Sequence, residues 1–191
     1  MSYIFIKGNS KMGKKVYIFN IPPLTTCKPT PWCRKNCYAL KNNFRLPSVI
    51  EAAKNRYQIS KIDNFADLAV EEIKKRKIKL VRVHSSGDFY SKEYIGKWIA
   101  IASQCPEALF RTTTKRRDFK EEIYKLNSLP NFIVRESLDS SLPSPFMELP
   151  LAMIDTIPEA KNQDVIDCVN DCEKCGYRCW FERKSVRFTP H

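Results

Sequence analysis

The sequence has no long apolar run. No stretch approaches the roughly 20 residues needed to cross a bilayer, and the opening MSYIFIKGNSKMGKK has no apolar core of the kind a secretory leader carries. These absences predict a soluble, cytoplasmic chain with no membrane partner. There is also no helix-turn-helix signature, no aromatic ribonucleoprotein motif, no internal repeat, no low-complexity tract and no obvious long linker, which removes repeat architectures and the commonest nucleic-acid modules. Negative charge is in short supply: 21 Asp and Glu stand against 33 Lys and Arg, a formal net charge of +12. An excess of that size either solubilises a surface or attracts a polyanion, most often nucleic acid. Hydrophobic residues make up 43% of the 191. That is enough for a real core and argues against wholesale disorder. The length suits one domain, or one domain with a small appendage.

What the chain has in quantity is cysteine, eight in all. A reducing compartment disfavours structural disulfides, and seven of the eight fall in two tight groups, a pattern that in a cytosolic chain points to metal. The eighth, Cys105, stands alone at the end of a predicted helix and reads as a small buried hydrophobe.

Patterning predicts the elements around these groups. KKVYIFNIP (14–22) alternates and stops at paired prolines, as a strand does. PSVIEAAKNRYQIS (47–60) and NFADLAVEEIKKRK have helical spacing, the second with a cap at Asp63. IKLVRVHS (78–85) is a strand, and SKEYIGKWIAIASQC (91–105) is a helix opened by Ser91. ALFRTTT (108–114) is a strand, RDFKEEIYKLN (117–127) is a helix capped near Asp118, and NFIVRES (131–137) and LPLAMIDT (149–156) are strands. Strands alternating with helices over short connections imply βα units and a parallel sheet. Too few strands are present for a closed eight-stranded barrel. The expected architecture is therefore α/β, a partial (β/α) barrel of about five to six mostly parallel strands spanning 1–157, with a cysteine-rich tail, 158–191, packed on it. Chemistry in such folds gathers at the C-terminal ends of the strands, so the loops after residues 20, 84, 114, 136 and 155 should face one site.

The first cysteine group, Cys27, Cys33 and Cys37 in CKPTPWCRKNCYA, follows the first predicted strand and reads as a loop. Three thiolates can hold three irons of a [4Fe–4S] cube and leave the fourth open. An open position lets a metal bind a small molecule rather than only staple a fold. Zinc completed by a distant ligand is the rival, although the C-x5-C-x3-C spacing departs from paired zinc knuckles; free thiols are the third reading. The second group, Cys168, Cys172, Cys175 and Cys179, supplies enough thiols for one complete site: a compact ferredoxin-like run holding a second cluster, or tetrahedral zinc. Alternatively one tail cysteine closes the first cluster.

Three segments, TCKPTPWCRKNCYA, VHSSGDFYSKEYIGKWIAIASQCPEALFRTTTKR and CVNDCEKCGYRCW, resemble the gene product 88 family of phage and prophage proteins, a family itself similar to radical S-adenosylmethionine (SAM) enzymes. The resemblance runs from about residue 15 to 181. It implies a partial (β/α)6 barrel in a phage-infected or prophage-bearing host, with a [4Fe–4S] cluster on Cys27, Cys33 and Cys37. It also implies SAM bound at the open iron, and an electron donor for its cleavage to a radical acting on a nucleic acid or other anionic substrate. By the same resemblance Tyr38 is the aromatic residue beside the last ligand. Ser85, Ser86, Gly87 and Asp88 form the segment that contacts SAM, with Asp88 gripping its amine. The cysteine spacing and the strand count both depart from the radical SAM pattern.

Other residues carry paired readings. His84 ends a strand beside this loop, as a site residue or a satisfied strand-end histidine. Lys115, Arg116 and Arg117 could hold a phosphate or carboxylate or form a solvated turn. Arg135, with Glu136, Ser137 and Asp139, could contact a ribose or substrate, or form an ordinary ion pair. Lys74–Lys79 suits a helix C-terminus, and Tyr94, Trp98 and Phe110 suit the core.

Overall fold

The computed structural model describes residues 3–161 and 164–189. Within them the chain forms β1 (Ile6–Lys7), β2 (Val16–Phe19), α1 (Pro31–Asn36), α2 (Pro47–Lys61), α3 (Phe65–Lys75), β3 (Leu80–Val83), α4 (Lys92–Gln104), β4 (Leu109–Thr114), α5 (Lys120–Asn127), β5 (Phe132–Leu138), β6 (Leu151–Ile154), β7 (Val165–Asp167), α6 (Arg178–Phe181) and β8 (Ser185–Phe188). All eight strands belong to one sheet in the order β1-β2-β3-β4-β5-β6-β8-β7. Only β1 is antiparallel to its neighbour; the remaining pairings are parallel. The strands from β2 to β6 thus lie side by side in chain order, as consecutive βα units dictate. The sheet is open, with β1 and β7 at its edges, so the mostly parallel α/β arrangement is as expected and a barrel is not formed. The strand count exceeds the expected five to six because three short strands were not legible. β1 is two residues long, and β7 and β8 come from the tail.

Alternation in the strands divides the core between the two faces of the sheet. Phe19, Val81, Val83, Phe110, Phe132 and Val134 face α3, α4 and α5, where Phe65, Tyr94, Ile95, Trp98 and Ile123 join them. Trp98 is fully buried, with ring centroids 5.3 Å from Phe19 and 5.9 Å from Phe65. Val16, Ile18 and Leu80 face the other way and pack on Tyr177, Cys179, Trp180 and Val186. The tail therefore covers the sheet face that the helices leave bare.

The helix ends follow ordinary capping chemistry. The Ser91 side chain accepts from the Tyr94 amide at 3.2 Å and opens α4 as predicted. Asp63 and Asp118 do not cap: α3 starts after Asn64 without a side-chain cap, and Asp118 lies in a short 3-10 turn before α5, bonded instead to Arg116 at 2.9 Å. Lys97 Nζ closes α2 by donating to the carbonyls of Ser60, Lys61 and Ile62 at 3.1, 3.0 and 2.7 Å. Arg76 at the end of α3 pairs with Glu72 and donates to the Phe5 carbonyl at 2.7 Å, so the basic run there is structural. Cys105 is buried in the helix-side core.

Candidate metal centre

The first cysteine group sits beyond the C-terminal end of β2, beside the segment that leaves β3. Thr30 and Pro31 start α1 inside it: the Thr30 hydroxyl accepts from the Cys33 amide at 3.0 Å, and Pro31 occupies the first helical turn. The expected loop is thus a short helix here, and Thr-Pro is its start signal. Thr30 also donates to Asp139 Oδ2 at 2.7 Å, and the same carboxylate pairs with Lys115 Nζ at 3.1 Å. Asp139 is fully buried and Lys115 nearly so. The loops after β2, β4 and β5 are thereby tied to one another.

The loop after β3 is bound to the loop after β2. Asn20 Oδ1 accepts from the amides of Ser85 and Ser86 at 2.7 and 3.1 Å, and the Ser86 hydroxyl donates to the Ile21 carbonyl at 3.0 Å. Tyr38 donates its hydroxyl to the Ser85 carbonyl. Gly87 has φ +89°, and a Cβ there would lie 2.3 Å from Ile21 Cγ1 and 2.8 Å from Thr26 Oγ1. Backbone conformation and close approach both demand glycine. Asp88 is buried. Its Oδ1 accepts from the Phe89 amide at 2.8 Å and the Thr114 hydroxyl at 2.7 Å, and its Oδ2 from the Lys115 amide at 3.0 Å.

The three thiols share one another's electrostatic field. Burial pushes Cys27 up to about 12, and the Asp88 carboxylate and the other two thiols add to the rise. Burial also raises Cys33, opposed by Lys115 and reinforced by Cys37, Asp139 and Asp88. Asp88 is itself raised by burial, against the pull of its three donors. The Tyr38 phenol is raised by burial of its hydroxyl, with Arg82 opposing and Cys37 and Cys27 reinforcing. Cys27, Cys33, Cys37, Tyr38, Ser85, Ser86, Gly87 and Asp88 thus come together at one end of the sheet.

Arg135 does not join them. It is fully buried, and its guanidinium donates to the carbonyls of Lys184, Cys179 and Glu182 at 2.8, 3.1 and 2.7 Å, which ties β5 to the tail. His84 also turns away. Its backbone is left-handed (φ 65°), its Nε2 lies 2.8 Å from the Tyr94 hydroxyl, and its ring packs against Phe89 and Trp98 in the helix-side core. Arg116 donates to the Phe89 carbonyl and pairs with Asp118, and Arg117 lies 2.7 Å from the buried Glu136 carboxylate. These bonds engage both guanidiniums, although Arg117 Nε is buried without a partner among the described residues. Sequence reasoning missed Asn20 and Thr30 as braces. It also passed over Arg82 and Arg111, each the one charged residue of its strand.

A sequence comparison decides the family. The description Gene product 88 matches residues 3–174.

The chain belongs to the gene product 88 family.

The match spans most of the chain and includes the first cysteine group, the Ser85–Asp88 loop, Cys168 and Cys172. No curated protein and no solved structure matches the chain. No described helix is long and apolar enough to cross a membrane. Among the described residues, no three His, Cys, Asp or Glu side chains converge closely enough to hold a single metal ion, and all eight cysteines are free.

The donor set can be tested for fit to a cluster on this geometry. A cubane accepts thiolates set wider apart than a single tetrahedral ion does. Three thiols are the number of protein donors that a [4Fe–4S] cube with one open iron takes, and Cys27, Cys33 and Cys37 stand in one another's field. Ser85 Oγ, on the loop after β3, is buried and has no hydrogen-bond partner among the described residues, an open polar position.

Proposed function

We propose that this protein is an iron–sulfur protein of radical SAM type, with Cys27, Cys33 and Cys37 holding a [4Fe–4S] cluster and SAM lying beside the Ser85–Asp88 loop. One observation carries the reading: the three thiols and that loop, from separate parts of the chain, meet where β2 and β3 end, and Asp88 and Cys27 sense each other's charge. A cluster held by Cys27, Cys33 and Cys37 would supply one-electron reductive chemistry to the sulfonium of a bound SAM, with the electron coming from a separate donor. The chain's own residues do the remainder. Thr30, Asp139 and Lys115 hold the thiol loop in place. Gly87 permits close backbone approach. Ser85 offers a free hydroxyl to a ligand. The net charge of +12 supports a nucleic acid or other anionic substrate.

A second reading is a cluster-bearing module that binds nucleic acid or a host protein without cleaving SAM. The Asp88 carboxylate favours it, because three protein donors already fill most of its roughly four lone-pair sites. Anaerobic purification tests both readings. Brown protein with iron and acid-labile sulfide is expected, and Cys33→Ser should lose it. Colourless protein carrying zinc alone overturns both. Given a cluster, SAM should shift its electron paramagnetic resonance spectrum, and dithionite should then release 5′-deoxyadenosine. An unchanged spectrum with no release selects the module, whose nucleic-acid binding should weaken steeply with added salt.

A further inference from the structure

The sheet face that the tail covers ends in two cations. Arg82 on β3 and Arg111 on β4 are register partners in the parallel pair. Each follows Leu80 or Leu109 by two positions, so all four side chains leave the same face. Leu80 and Leu109 pack with Cys168, Cys172 and Trp180 in the tail-side core. Three positions beyond Arg82, the Ser85 carbonyl accepts the Tyr38 hydroxyl. The two arginines therefore form the layer between that core and the end of the sheet where the first cysteine group stands.

Neither guanidinium has found an anion among the described residues. The other two strand arginines are satisfied: Arg135 by three carbonyls, and Arg187 by the Asp167 carboxylate at 2.6 Å. Arg82 has only a weak contact to Met12 Sδ at 3.9 Å. Arg111 lies over the Trp180 ring at 4.3 Å, and its Nε is buried without a partner. Trp180 is itself fixed, its Nε1 donating to the Val81 carbonyl at 3.1 Å. Like charges paired across strands repel, and a half-buried cation without a partner is costly. Burial and then Arg111 lower the pKa of Arg82, in keeping with that repulsion. Each arginine is only half-buried, so a ligand can reach it.

We infer that Arg82 and Arg111 form a binding site for the phosphate group of a phosphate ester. Charge selects the group. A phosphomonoester carries nearly two negative charges at neutral pH and matches two guanidiniums, whereas a monocarboxylate leaves one unpaired. Shape agrees, because the planar guanidinium fork fits phosphate oxygens in a bidentate way, and the Trp180 ring sets the plane of one fork. The ester's organic part would extend towards the end of the sheet where Ser85 and the first cysteines lie. Reading that ester as the substrate of the radical chemistry rests on the proposal above; the phosphate site does not.

Calorimetric titration of the full chain tests the site. Ribose 5-phosphate should bind saturably at one per chain and more tightly than inorganic phosphate, and ribose and acetate should serve as blanks. Arg82→Met and Arg111→Met should each weaken binding about 10- to 100-fold, the usual effect of losing hydrogen bonds to a charged group. Arg82→Lys/Arg111→Lys keeps both charges without the forks, and should also bind more weakly while its far-UV circular dichroism is unchanged. Lys74→Met/Lys75→Met, at the far end of α3, makes the double-methionine change in net charge and should bind as wild type. Absence of saturable binding overturns the site, as does an equal loss in the Lys74/Lys75 variant. Acetate binding as tightly as ribose 5-phosphate overturns the dianion, and inorganic phosphate binding equally well overturns the ester. If the arginine variants instead lose SAM affinity while wild type ignores ribose 5-phosphate, the pair holds the SAM carboxylate and the inference fails. Cys27→Ser/Cys33→Ser/Cys37→Ser protein should still bind ribose 5-phosphate, so failure of the cluster and failure of this site are read separately.

Discussion

At the scale of single residues, several polar groups are used differently from what their neighbourhood in the chain suggests. His84 stands between a strand and the Ser-Gly-Asp loop, yet its ring points into an aromatic core. Burial there lowers its pKa to about 3, so the folded protein holds it neutral. Between about 3 and the ordinary histidine value near 6.5, the unfolded chain binds a proton that the folded chain refuses. The stability from this residue is complete above about pH 6.5 and is lost as the pH falls towards 3. We expect unfolding free energy to drop by about 2 kcal/mol from pH 7 to pH 5 through His84 alone. Urea titrations at both pH values on wild type and His84→Asn should show that difference, and equal pH slopes in the two proteins would refute it. Asparagine is chosen because it tolerates the left-handed backbone that His84 adopts.

At the scale of elements, the informative piece is the connection between β5 and the tail. β5 has an arginine in a buried strand, a composition that suggested a ligand contact. Instead, the five donors of a guanidinium suit several carbonyls at the end of a short helix, and α6 with its flanking turn supplies three. Arg135→Met keeps most of the apolar stem and removes the fork. It strands three carbonyls whose unmade bonds cost about 1–3 kcal/mol each where they stay buried. The expected result is a loss of at least about 3 kcal/mol, with hydrogen exchange in residues 179–188 accelerating before the rest of the sheet. Uniform exchange across the molecule would argue against a tail docked by this residue. The helices were the most legible elements because their apolar stripes repeat over eleven to fifteen residues in α2, α3 and α4. The strands β1 and β7 escaped detection because two or three residues carry too little pattern, and β8 because its four residues lie in a polar, basic tail segment.

At the scale of the whole molecule, the tail is part of the sheet. β8 lies between β6 and β7, and Tyr177, Trp180 and Val186 complete the core on the face without long helices. A chain ending at Ile157 would expose Val16, Ile18 and Leu80 and leave β6 as a bare edge, an aggregation-prone arrangement. We expect it not to fold as a soluble monomer, as judged by circular dichroism and gel filtration. A cooperative, monodisperse product would show that the first 157 residues are self-sufficient.

The parallel α/β character is legible in the chain alone, because helical stripes alternate with short apolar strands over brief connections. So is which thiols belong together, since seven cysteines fall into two groups too compact for chance. Which face each group occupies and what surrounds it came with the folded arrangement. Asp88 meets Cys27 across some sixty positions, Arg82 meets Arg111 across a strand pair, and Arg135 turns towards the tail. The reason is physical. Periodicity reports which side chains share a face of their own element. The partner that satisfies a buried charge is set by strand order and register, which no local pattern encodes.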